Sequence, residues 1–184
     1  MYFFDHPAAA ANVAIQSVIV RAAHLGADDP EWLCTDVADF TFSMMQLGRY
    51  PMADIPQPAL IGTAFKIYVN EVYNGGHAQF IGNSEWGVDD VGLVSACLKR
   101  VEIPEVNGIF ADLQAYERTD PKKFHKADWR DDVLDALDKR MYALDRKAIF
   151  GPLAKWLQDG LTLFPVPAEN WHSVVHELAG RNRD

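Results

Sequence analysis

Cysteine is scarce in this 184-residue chain: Cys34 and Cys97 are the only two, far apart and in no CxxC pair. That spacing excludes a disulfide framework or a cysteine-held zinc as the organising feature, and two buried thiols in a reducing compartment are expected. Basic residues are in deficit as well. Seventeen Lys and Arg stand against 26 Asp and Glu, a formal net charge of −9. This argues against direct nucleic-acid binding over a broad surface, because such affinity comes from cations that neutralise phosphates. Long apolar runs are missing too. The stretch AAAANVAIQSVIV is broken by Asn12 and Gln16 and preceded by Asp5 and His6 rather than by Lys or Arg. It falls short of the roughly 18 apolar residues of a spanning helix and lacks the flanks of a signal peptide. It is expected to be the first helix of a cytoplasmic protein without membrane contact. No Walker loop, GxGxxG, GxSxG or CxxC…CxxC pattern occurs, and no cofactor is expected.

What the chain does have is apolar residues, 49% of the total, enough for one ordinary core across residues 1–184. Proline and glycine punctuate it as helix starts and stops. Asp29-Pro30-Glu31 supplies a capping carboxylate, a proline and an acid at the positive end of the dipole, and that helix should stop near Leu47-Gly48. The first helix should run from about Pro7 to Leu25-Gly26 and the last from about Pro167 to Ala179-Gly180, with Asp120-Pro121 a further start and Gly160 a further stop. Between these marks the apolar period is helical. Leu60/Ile61, Ala64/Phe65, Tyr68/Val69 and Val72/Tyr73 recur every four residues, leaving Lys66, Asn70 and Glu71 off the apolar face. Val91, Val94, Leu98 and Val101 form a second stripe. Trp129, Val133, Leu137, Met141, Leu144 and Ala148 form a third, on what should be the longest helix. The expected fold is all-α, a single domain of seven or eight packed helices, with an exposed polar connection around residues 118–128.

The segment EVYNGGHAQFIGNSEWG, residues 71–87, interrupts this pattern. The preceding period is too long for a strand, so Asn74-Gly75-Gly76 reads as a break between two helices rather than a hairpin turn. Two roles are open for its polar residues. Glu71, Asn74, His77, Gln79, Asn83 and Ser84 can satisfy the backbone groups that helix ends leave unpaired. Alternatively Glu71, Asn74, His77 and Gln79 line a pocket for a small polar ligand or for acid–base chemistry. No nucleophile or metal cluster accompanies them, so no catalytic residue is assigned.

The motif Glu71-x-x-Asn74-Gly75-Gly76-His77-x-Gln79-Phe80-x-x-Asn83-Ser84 resembles the signature of a bacterial domain of unknown function, the family typified by the nineteen-kilodalton DNA-mimic protein. The likeness is specific over about residues 65–86 and extends to about 116; the family's usual pattern has an aromatic where His77 stands. The resemblance implies a helical fold, a homodimer, and an acidic surface that occupies the DNA-binding site of a transcriptional regulator or another basic protein.

The charge distribution leaves room for such a surface. Residues 1–121 hold 16 acids and 6 bases, whereas residues 122–184 hold 10 acids and 11 bases. Between Ala22 and Gly48 there are five acids, Asp28, Asp29, Glu31, Asp36 and Asp39, and no Lys or Arg. Asp36 and Asp39 share a polar face with Ser43 and Gln46, uncompensated within their own helix, which makes these five the expected partner-facing residues. Asp131, Asp132, Asp135 and Asp138 precede Lys139, Arg140, Arg146 and Lys147 and read as an ordinary solvated face. The same composition also suits an acidic protein that is merely soluble, or an immunity-type protein that neutralises a basic toxin. His172 and His176 sit at i,i+4 on the last helix, but the HExxH pattern is absent, no third ligand is evident, and no metal is expected.

Overall fold

The computed structural model describes residues 15–126 and 128–180. Among them are eight α-helices and two short strands. The helices are α1 (Glu31–Gln46), α2 (Gln57–Ser84), α3 (Val88–Leu98), α4 (Pro104–Thr119), α5 (Pro121–Phe124), α6 (Asp132–Tyr142), α7 (Arg146–Gly160) and α8 (Ala168–Gly180). Strands β1 (Val18–Arg21) and β2 (Leu163–Val166) pair in parallel, with Val18 opposite Leu163 and Arg21 opposite Val166. The fold is mostly α, as the punctuation predicts, and most of the predicted ends hold. The Glu31 N–H donates to Asp29 Oδ1 at 3.0 Å to open α1, and Asp120 accepts from the Lys123 N–H to open α5.

Two expectations are corrected. The expected first helix gives way to strand β1 and a 3-10 turn, Ala22–His24; its earlier residues 7–14 lie outside the described residues. Val18, Ile19 and Val20 are β-branched and all buried, which suits a strand enclosed on both faces and leaves no polar side for a helix. The stripe from Trp129 to Ala148 is divided between two helices. Asp131 accepts from the N–H groups of Val133 and Leu134, and Asp145 accepts from that of Lys147, so each carboxylate starts its own helix. Trp129 precedes α6 and is 78% exposed, and the longest helix is α2.

One connected core runs from Val18 to Ala179. Helix α1 is central and packs against α2, α7, α8 and β1. The first half of α2 is buried almost all round, from Ala59 to Lys66, and at Gly62 a Cβ would stand 2.8 Å from Leu157 of α7. Lys66, expected on the polar side, is buried: its Nζ lies 3.5 Å from Glu31 Oε1 and 5.7 Å from the centre of the Phe150 ring. An aromatic column descends from Tyr68 through Phe110 and Trp86 to Phe124, with ring centres 5.1, 6.1 and 4.7 Å apart. Phe124 thereby anchors the otherwise exposed connection at residues 118–128.

The outer edge of β1 is closed by side chains instead of a third strand. Ile19 and Arg21 face away from β2. The Ile19 carbonyl accepts from Trp171 Nε1 at 3.0 Å, and the Arg21 N–H donates to Asp36 Oδ2 at 2.6 Å. Asp36 is fully buried and also accepts from the Arg21 guanidinium, while His24 Nδ1 lies 2.9 Å away. Replacing Asp36 by Asn should therefore lower stability by about 2–3 kcal/mol, somewhat below the usual loss for half of a buried ion pair because Arg21 keeps some access to water. Urea unfolding measures this, with Asp39→Asn, at a half-exposed site, expected to change little.

Candidate functional site

Helix α2 runs through the predicted break. Gly75 (φ −154°, ψ 25°) and Gly76 (φ 74°, ψ 179°) leave helical geometry, and the helix resumes at His77. Gly76 is required twice over. Its backbone is left-handed, and a Cβ there would stand 2.2 Å from Asp138 Oδ2 of α6.

Interrupting a helix strands carbonyls before the gap and N–H groups after it. Helix α6 supplies the partners. The Tyr142 hydroxyl donates to the Val72 carbonyl at 2.9 Å, and the His77 N–H donates to Asp138 Oδ1 at 2.8 Å. The service is returned, because the Tyr73 hydroxyl of α2 lies 2.9 Å from the Met141 carbonyl and 3.0 Å from the Leu144 carbonyl, at the open end of α6. Asp138 also lies 2.5 Å from His77 Nδ1, and Tyr68 lies 3.0 Å from Nε2 through its hydroxyl. An ionised carboxylate only accepts, so with the imidazole neutral Nδ1 would donate to Asp138 and Nε2 would accept from the Tyr68 O–H. Burial, with the Asp138 charge behind it, pushes the Tyr68 phenol far above its ordinary range.

Tyr68, His77 and Asp138 form a chain of the kind that relays protons, but the chain is closed. His77 is fully buried with both ring nitrogens engaged, and Tyr68 lies edge-on against Phe80 and Phe110. Glu71, Gln79 and Asn83 gather elsewhere: the Gln79 and Asn83 side-chain amides both donate to Glu71 Oε2, at 2.5 and 2.7 Å, tying the two halves of α2 across the gap. Asn74 and Gly75 are exposed. Of the two roles open to these residues, the geometry is that of a structural corner: His77 turns into the core while Glu71 and Gln79 bridge along the outside. Two clefts lie elsewhere, one lined by Lys123, Lys126, Arg130 and neighbouring aspartates, the other by residues 98–104 and Asn107.

The acidic candidates separate in the same way. Asp28 is exposed, and Asp29 caps α1. Glu31 is held by Arg146, whose Nε and Nη2 lie 2.9 and 2.5 Å from its oxygens, and by Lys66; burial raises its pKa, and these cations bring it below the ordinary value. Asp36 is enclosed. Asp39 is 47% exposed with Arg21 Nη1 at 3.8 Å, and burial, reinforced by Asp36, holds its carboxyl above the usual range against the pull of Arg21. The face of Asp36 and Asp39, uncompensated within its own helix as expected, is compensated from outside it by Arg21 and His24, and Glu31 by Lys66 and Arg146. Asp131 and Asp138, expected on a solvated face, are structural: Asp131 accepts from Tyr116 and from two N–H groups beside Lys123, which outweigh burial and lower its pKa. Asp135 and Lys139, both on that face, do pair at i,i+4, at 2.6 Å. Asp28, Asp89, Glu102 and Glu105 are exposed with no cation of the described residues within ion-pair distance. His172 and His176 are exposed, and no group of three or more metal-ligating side chains occurs among the described residues.

The profile described as "DMP19-like protein" matches residues 53–160, more than half of the chain, and the chain belongs to that family. The matched segment runs from the turn before α2 to the end of α7 and contains both sides of the clasp, Gly76-His77 and Asp138. Nothing among curated proteins or solved structures matches the chain. No helix among the described residues is long and apolar enough to cross a membrane.

Asp138→Ala strands the His77 backbone and ring N–H groups together, and should lower stability by about 2–4 kcal/mol in urea unfolding. His77→Ala should lose a similar amount, and the double variant less than the sum, because the two substitutions remove the same contact. Gly76→Ala should be destabilised by about 2 kcal/mol or more, from the left-handed backbone and the crowding of Asp138.

Proposed function

We propose that this protein is a non-catalytic acidic binding protein of the cytoplasm, acting as a homodimer, that mimics DNA by occupying the DNA-binding surface of a transcriptional regulator. The observation that carries this reading is membership of the DMP19-like protein family across residues 53–160. The net charge of −9 supports it, as do the exposed carboxylates at Asp28, Asp89, Glu102 and Glu105, which form no ion pair with a described cation. A duplex presents about one charge per 1.7 Å of its axis, so a competitor for its binding surface must offer carboxylates that no neighbouring cation neutralises. Asp36 and Glu31, already engaged within the fold, and Asp39, with Arg21 Nη1 at 3.8 Å, serve this role poorly; Asp28 remains open for it.

The test is displacement. A regulator from the native host, bound to a fluorescent operator duplex, should be released as this protein is added, and the midpoint should rise about tenfold or more between roughly 50 and 200 mM salt. Joint replacement of Asp28, Asp89, Glu102 and Glu105 by their amides should weaken release further than Asp135→Asn, whose charge is already paired. Retention of every host regulator on its operator at low salt would defeat the reading.

A further inference from the structure

The turn joining α2 to α3 holds Asp90, a largely buried residue whose carboxylate oxygens keep contact with solvent and find no partner among the described residues. Glu85 and Trp86 both adopt left-handed backbone (φ 51° and 53°), and the Trp86 ring pins the turn from inside against Phe80, Phe110 and Phe124. On the outside, Val88 is 88% exposed and Asp89 stands beside it. Asp90 is only 9% exposed, yet no hydrogen bond or cation reaches its carboxylate among the described residues. The other buried carboxylates are treated differently: Asp36 has Arg21 and His24, and Asp131 has Tyr116, Lys123 and two backbone donors. Asp90 faces Gly87, where a Cβ would stand 3.2 Å from its Oδ2. The Gly87 backbone (φ −60°, ψ 140°) is open to any residue, so glycine is not needed there for conformation; it leaves the flank of Asp90 uncovered.

We propose that this turn is a notch that receives an arginine side chain of a basic partner protein, the guanidinium pairing with Asp90 past Gly87 while Asp89 adds charge and Val88 covers the arginine stem. It rests on the acidic-partner reading above and assigns that reading a point of contact. Arginine fits better than lysine because its planar, weakly hydrated head pairs two donors with one carboxylate and its stem lies against apolar surface. Part of the desolvation of Asp90 is already incurred in folding, so an incoming cation meets a partly preorganised acceptor. Burial first, and then the Asp89 charge, push the Asp90 carboxyl up to about 6. The fold therefore favours the protonated form, and its contribution to stability is lost as pH rises through about 6.

Two measurements test the notch. With Asp carboxyl carbons labelled for NMR, the blocked dipeptide acetyl-arginyl-arginine amide at low salt should lower the Asp90 titration midpoint by about one unit or more. Asp90→Asn should weaken that peptide about tenfold while raising the melting temperature at pH 7, a gain that shrinks toward pH 4. Unchanged peptide affinity in Asp90→Asn, a lowered melting temperature, or equal binding of the lysine dipeptide would overturn the proposal. The two readings fail separately. A host regulator that binds wild type and Asp90→Asn alike removes the notch and leaves the mimic, whereas peptide binding at Asp90 without release of any operator removes the mimic and leaves the notch.

Discussion

One carboxylate oxygen, Asp138 Oδ1, accepts from both the backbone and the ring of His77, and the path of the longest helix depends on it. Without an acceptor at that point the second half of α2 would begin with an unpaired donor inside the core. Such a group costs more than an ordinary hydrogen bond contributes. The lack of a side chain at Gly76 lets the carboxylate come close enough, while Tyr142 donates to the Val72 carbonyl and Tyr73 reaches the carbonyls at the end of α6. Helices α2 and α6 each complete the other, so the break is a joint that fixes the angle between them and not a weak point.

The same economy governs the acidity of the chain. Several carboxylates that look like surface charge in one dimension are turned inward: Asp36 ties β1 to α1, Glu31 joins α1 to α2 and α7, and Asp131 starts α6. Each draws a cation or donor from a distant part of the chain. The acids left open at the surface are a smaller set than the composition suggests, and they are scattered over several elements.

How far the sequence discloses this depends on distance along the chain. Helix starts at Asp29-Pro30 and Asp120-Pro121, the stop at Gly160 and the break at Gly75-Gly76 are all legible, because caps and glycine conformations are decided within a few residues. The family motif was legible for the same reason. Strand β1 was not: Val-Ile-Val fits a buried strand or a helix segment by period, and its partner lies far along the chain. The roles of Asp36 and Asp138 were hidden because nothing local separates a carboxylate facing water from one facing a donor across a helix interface. A faint sign existed for Asp138, which borders the stripe of Leu134, Leu137 and Met141, and for Lys66, set among apolar neighbours.

The pairing of β1 with β2 has a consequence for how the chain is made. The strands enclose about 140 residues, the family segment among them, and closing so long a loop adds an entropic barrier that local helix contacts do not face. During synthesis Val18–Val20 leave the ribosome before Leu163–Val166 and wait for them before either can form its ladder. The helices between them can assemble first, around the Asp138 joint. The strand pair is then the final latch, and a chaperone that shields a short β-branched segment would find its substrate in the nascent form of this protein.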